Sequence, residues 1–193
     1  MRRHATIALT LVLLAIGCDG GGGGLDQQAE AIVDLDPDDP SILMRPFSAD
    51  EIRDEWIPGF RLLMRRSFPE QTLIERWTVV SADDEGVEIE YATILNDGSV
   101  EGKPTIARSG WVELRDHAAF PAAHSTRVWV SRSTALGDFE GWLYRVAEPG
   151  AAVVIEFFFV PELPGAPLHM RTLEGDATVF ELEQTARLRP GTN

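Results

Sequence analysis

The chain has 193 residues, of which 44% are hydrophobic and 25% charged, and its formal net charge is −14. That length suits one domain with a tether and is enough to bury a core. So acidic a chain repels phosphate backbones and argues against nucleic-acid binding, and its single cysteine excludes an internal disulfide and every cysteine-based zinc or redox motif.

Met1-Arg2-Arg3-His4 is a short basic opening, and Ala5–Ile16 is apolar apart from Thr6 and Thr10. That order is the charged and apolar parts of a secretory leader. The run falls short of the about 20 residues that a bilayer span needs. It ends Leu14-Ala15-Ile16-Gly17-Cys18, and glycines follow from Gly20 to Gly24. This ending resembles the lipobox of bacterial lipoproteins. In that family a small residue precedes the cysteine, the thiol takes up lipid, and cleavage leaves the cysteine first in the chain. Gly17 fits the small position, and Ala15 stands where the family prefers Leu. The resemblance implies a leader over 1–17 and lipid attachment at Cys18. It implies a membrane anchor on the bacterial cell envelope, facing the periplasm or the exterior. It covers residues 1–18 and implies nothing about the folded part.

Residues 18–44 read as a flexible, self-repelling tether. Beyond the glycines the segment carries Asp26, Glu30, Asp34, Asp36, Asp38 and Asp39 and no Lys or Arg, so it buries too little apolar area to offset ordering. Asp34-Leu-Asp36-Pro-Asp38 imitates the start of a calcium loop. The imitation fails at Asp39, where Gly is needed, and at Arg45, where the bidentate Glu belongs.

A single β-rich domain is expected over 45–193. Ser48-Ala-Asp-Glu51 is a capping box, and Ile52 and Trp56 share a helix face, so a short helix is predicted over 49–57, ended by Pro58-Gly59. The period then changes to two. Strands are predicted over 60–66, 72–80, 87–95, 126–132, 139–147, 151–160, 168–174 and 177–188, with 99–109 a weak strand or loop. Asn96-Asp97-Gly98 is a hairpin signal, and Pro161 to Pro167 makes a rigid break. Ile155–Val160 reads IEFFFV, apolar on both faces, and predicts a central strand covered on both sides, with the helix at 49–57 and the segment at 110–120 as the candidates to cover its second face. The fold class is mainly β, with some helix. It is a largely antiparallel, curled sheet or half-barrel of about seven to nine strands with one short N-terminal helix.

Thr134 to Tyr144, then Phe159-Val-Pro161-Glu-Leu-Pro164-Gly165-Ala-Pro167, resembles a pattern in bacterial periplasmic domains built as a curled antiparallel sheet. That fold is similar to the lipoprotein carrier and receptor half-barrels, whose concave face holds acyl chains. The resemblance spans roughly 134–185 and rests on turn and core residues, so it bears on fold more than on activity.

Two groups of residues are candidates for chemistry. The first is polar: Glu113, Arg115, Asp116, His117 and His124. His117 as a general base would need orienting by Asp116 or Glu113, yet neighbours in sequence point apart. His117 and His124 are too far apart in sequence for a helical zinc pair. The simpler reading is an amphipathic segment with Trp111, Leu114 and Phe120 packed on the sheet. The second group is apolar: Trp142, Tyr144, Phe157 and Phe159, either a ligand-lining face or ordinary core. His169 and the Glu88/Glu90 alternation read as structural or solvated. There is no serine-hydrolase elbow, P-loop or dinucleotide fingerprint. No catalytic residue, metal or cofactor is assigned.

Three functions are carried forward. One is a lipid-anchored, non-catalytic binding module for an apolar small molecule or an envelope protein. Another is an envelope hydrolase or metal-dependent enzyme using residues 113–124. The last is a structural or assembly partner, with contacts on the sheet edges or the acidic tether. An apolar hollow would favour the first and converging histidines the second. A filled core with an exposed apolar patch would favour the last.

Overall fold

The computed structural model describes residues 39–147, 150 and 152–191. The expected leader, Cys18 and the expected tether as far as residue 38 lie outside the described residues. Among these residues nine antiparallel strands form one curled, unclosed sheet in the order β4-β3-β2-β1-β9-β8-β7-β6-β5. The strands are β1 (Arg61–Phe68), β2 (Gln71–Ala82), β3 (Gly86–Ile94), β4 (Thr105–Gly110), β5 (Ser125–Thr134), β6 (Gly137–Ala147), β7 (Val153–Phe159), β8 (His169–Glu174) and β9 (Ala177–Leu188). Helices α1 (Ala49–Glu55) and α2 (Trp111–Asp116) are short, and a 3₁₀ turn covers Ala122–His124.

Local chemistry sets most boundaries. The Ser48 hydroxyl accepts the Glu51 N–H, and the Glu51 carboxylate accepts the Ser48 N–H at 2.8 Å, closing the capping box of α1. Asp83 Oδ1 accepts the N–H groups of Glu85 and Gly86 and turns β2 into β3. Gly98, at φ +84°, completes the turn after β3. The weak segment at 99–109 yields β4, which pairs with β3 from Gly86↔Gly110 to Tyr91↔Thr105.

One pairing organises the whole sheet. β1 lies antiparallel to β9, from Arg61↔Leu188 to Ser67↔Glu181, with a bulge at Leu63/Met64. It joins the meander β1–β4 to the meander β5–β9. On one face of the sheet, Leu62, Met64, Val79, Ile89, Tyr144, Val146 and Phe159 are covered by Phe47, Ile52, Trp56, Trp111 and Phe120. Behind β7, Phe158, Val160 and Leu168 form a second cluster with Phe139, Leu143 and Leu163. β7 is therefore covered on both sides, third from the β5 edge. The helices cover one side, and residues of the 160–168 loop and of β6 cover the other. Burying a side chain the size of Phe158 contributes about 2–3 kcal/mol. The loop also docks on α1. The Trp56 indole N–H donates to Pro164 O at 3.2 Å, and Gly165, at φ +109°, leaves no room for a Cβ against that indole.

Of the expected tether, residues 41–44 are tied to the domain. Ile42 pairs antiparallel with Pro121, Leu43 N–H donates to Phe120 O at 2.9 Å, and Ala122 N–H donates to Ser41 O at 2.7 Å.

Candidate functional site

The polar candidates are engaged in local structure. Glu113 accepts the Gly110 N–H at the start of α2 at 3.1 Å. Arg115 holds Asp116 through two bonds of 2.8 and 3.0 Å, and Arg45 Nε meets the same carboxylate at 2.9 Å. Burial, then the carboxylates of Glu75 and Glu113, push the Tyr91 phenol up to about 12. His117 and His124 are exposed, and neither imidazole has a hydrogen-bond partner among the described residues. Among those residues no group of three or more His, Cys, Asp and Glu comes together as a metal site. The arrangement ties residue 45 to α2.

The apolar candidates lie on neighbouring strands. Trp142 and Tyr144 of β6 stand opposite Phe159 and Phe157 of β7. Tyr144 is wholly buried and Phe159 nearly so. The Phe120 ring sits 5.0 Å from Tyr144 and 4.8 Å from Phe157, and Phe47 meets Phe159 edge-on at 5.9 Å. The Tyr144 hydroxyl donates to Met44 O at 2.5 Å, and burial pushes the phenol up to about 12. Phe47 and Phe120 thus fill the space in which an apolar ligand would lie.

Trp142 leads outward to β5, one of the two edges of the sheet. There Val128 and Trp129 are each 48% exposed. Trp129 meets Trp142 edge-on at 4.8 Å, and the Arg127 guanidinium lies 3.4 Å from the centre of the Trp142 ring. A cation seated on an indole contributes about 0.5–2 kcal/mol. Arg127 Nε is buried without a hydrogen-bond partner, and Arg127 has no ion pair among the described residues. β5 carries Arg127 and Arg132 and no acidic residue. Among the described residues its outer backbone groups have no neighbouring strand in the sheet. Trp129 and Arg127 escaped the sequence reading. The signal was Val128-Trp129-Val130, three apolar residues in a row, which in a strand leaves at least one facing outward.

The opposite face carries an ion-pair network. Glu156, 6% exposed, accepts from Arg171 at 2.7 Å and Arg132 at 3.2 Å, with Arg145 at 3.7 Å. Arg132 also donates to His169 Nδ1 at 3.3 Å. Because arginine only donates, Nδ1 must accept, and Nε2 carries the proton toward Glu181 at 2.7 Å. Glu183 is held by Arg65 and accepts the Ala135 N–H at 2.8 Å. Burial alone would raise the Glu156 carboxyl, but Arg171 and Arg132 outweigh it and hold the group below its usual value. A depressed carboxyl stabilises the fold fully above about pH 4.5 and loses that contribution as pH falls through its folded value. Glu156→Gln should therefore cost about 3 kcal/mol at pH 7 and markedly less at pH 3, in urea unfolding at both pH values. Equal costs at the two pH values would count against the ion-pair account.

No protein-family model matches the sequence, and no curated protein matches it. Among solved structures the chain is similar to MucB, with 12% identity and a TM-score of 0.52, over 74% of this chain and 57% of that one. It is also similar to the MucA/MucB complex structure of Pseudomonas aeruginosa, with 14% identity and a TM-score of 0.50, over 72% and 53% of the two chains. The chain spans little more than half the length of these neighbours, and the likeness is one of fold.

Proposed function

We propose that this is a lipid-anchored cell-envelope protein whose domain recognises a protein partner and does no catalysis. The leader would be removed from 1–17, Cys18 would carry lipid, and residues 18–44 would tether the domain at 45–193. The observation that carries the partner reading is the β5 edge, where exposed Val128 and Trp129 follow an Arg127 that has no ion pair among the described residues. Three further points support it. Phe47 and Phe120 fill the face that an apolar ligand would need. Glu113, Arg115 and Asp116 are engaged in bonds that hold α2. MucB, similar in fold, has been crystallised in complex with a protein, MucA.

The test places a photoreactive amino acid at Trp129 on β5 or at Ile106, 57% exposed on the other edge strand, in cells that make the protein. A specific protein adduct is expected from position 129, lost on Arg127→Glu, and none from 106. Adducts of lipid mass from 129, or no adduct at all, would overturn the partner reading. The anchor is tested in the same cells: Cys18→Ser should leave an unprocessed, unlipidated precursor, and normal lipid labelling of it would refute lipidation at Cys18.

A further inference from the structure

We infer that the β5 edge takes its partner as an added strand, an extended segment that brings an acidic residue to Arg127; this rests on the partner reading above. The two edges of the sheet differ in what they offer. Edge strands are commonly kept short, bulged, or interrupted by Pro or Lys, because their open backbone groups pair with stray strands. β4 follows that rule and is six residues long. β5 runs for ten residues, Ser125–Thr134, without Pro or Lys. Its register with β6 is unbroken from Ser125↔Val146 to Thr134↔Gly137, whereas the β1–β9, β2–β3 and β8–β9 ladders each contain a shift. β5 thus offers about 30 Å of regular backbone. Main-chain hydrogen bonds along such an edge give a peptide its affinity, and alternate side chains give it specificity. The two arginines do not block the approach. Arg132 is bonded to Glu156 and His169, and Arg127 lies on the Trp142 ring.

Side-chain register sets what the incoming strand carries. Directly opposed residues share a face of the sheet. Arg127 and Trp129, opposite Tyr144 and Trp142, therefore lie on the face that the helices cover, and Val128, opposite Leu143, lies on the other. Arg127 has no ion pair among the described residues, and of its nitrogens only Nε is buried without a partner. The terminal nitrogens are left for a carboxylate from outside, which they can bind in a charge-assisted, two-pronged contact. Antiparallel addition is the sense of every pair in the sheet. In such a neighbour, the residue opposite Arg127 is Asp or Glu. The residue before it is aliphatic, beside exposed Val128, and the one before that is apolar or aromatic, against exposed Trp129. The edge thus fits a segment that reads apolar, aliphatic, acidic at consecutive positions. A second copy of the chain is a poorer occupant, because its own edge strands, β4 and β5, contain no acidic residue.

The experiment titrates labelled synthetic peptides into the full-length protein held in detergent. The parent peptide is Thr-Ser-Thr-Phe-Val-Asp-Thr-Thr, and a second has Lys in place of Asp. Two more carry N-methyl groups on alternate backbone nitrogens, one on the odd set and one on the even set. The parent should bind about tenfold more tightly than the Lys peptide. One methylated peptide should lose binding and the other keep it, because only one edge of an added strand faces β5. With the parent bound, the β5 amides that point away from β6 should exchange about tenfold more slowly, and those of β8 and β9 should be unchanged. Arg127→Glu should reverse the preference between the Asp and Lys peptides. The peptide comparisons need only the wild-type protein, so they decide the matter if that variant fails to fold. Equal affinity for the Asp and Lys peptides, equal affinity for the two methylated ones, or no binding at all would overturn the inference. So would β5 amides that are already protected without peptide, which would assign the edge to the chain itself or, where protection grows with protein concentration, to a second copy. The crosslink from position 129 captures a protein partner in any conformation. A specific adduct beside a failed peptide test would therefore keep the partner reading and remove the added strand.

Discussion

Replacing Glu55 by Ala should lower the unfolding free energy by about 3–5 kcal/mol and the melting temperature by about 10 °C. Glu55 and Arg187 each expose 8% of their side chains and meet at 3.0 Å, and Arg189 pairs with the same carboxylate. Burial already pulls Arg187 below its usual value, and Glu55 opposes that pull. Without Glu55 the guanidinium keeps Gln184 Oε1 and Pro164 O, each at 3.1 Å. Those are neutral acceptors, and a buried cation facing only neutral acceptors is uncompensated. The pair also ties α1 to the end of β9, so its loss should loosen the helix first. Glu55→Gln keeps volume and an acceptor but not the charge, and should fall between wild type and Ala. Urea midpoints for the three proteins check the order. A loss below about 1 kcal/mol for the Ala variant would mean that water already reaches the pair.

Tyr144→Ala should cost about 3–5 kcal/mol, because it empties a fully buried site under Phe120. Tyr144→Phe should cost only about 1 kcal/mol, the share of the hydrogen bond to Met44 O. Comparing the two separates packing from hydrogen bonding. It also measures whether the face beneath Phe120 is core or cavity. A wild-type hollow would make the Ala variant cheap to fold, whereas a filled core makes it costly and leaves a new void.

Where structure depends on nearest neighbours, the sequence was readable. The Ser48–Glu51 box, the Asn96-Asp97-Gly98 turn and the doubly apolar IEFFFV run each carry their cause within a few residues. The amphipathic stretch from Trp111 to Phe120 packs Trp111 and Phe120 into the core, and its first turns form α2. Segment 99–109 was ambiguous because its strand, Thr105–Gly110, is an edge with little apolar alternation. What could not be read was set by register. Glu156 faces Arg171 only because β7 pairs with β8 as it does. Arg127 reaches Trp142 only because β5 and β6 align Trp129 with Trp142. Fold class needs the pattern of each strand alone, whereas the candidate edge needs two strands at a known offset.

The β1–β9 pairing has a consequence for the order of assembly. The middle of the sheet is closed by the first and last of the nine described strands in chain order, Arg61 standing opposite Leu188. Each meander can form hairpins as it is made, but the two halves have no shared backbone ladder until β9 arrives. Contacts this distant along the chain slow folding toward the millisecond-to-second range. Until then β1 presents a bare edge of its own, carrying Leu62 and Met64, which the finished domain buries completely. The nascent chain is thus most vulnerable to wrong strand partners at what becomes its centre, and a premature stop before residue 177 would leave that centre open.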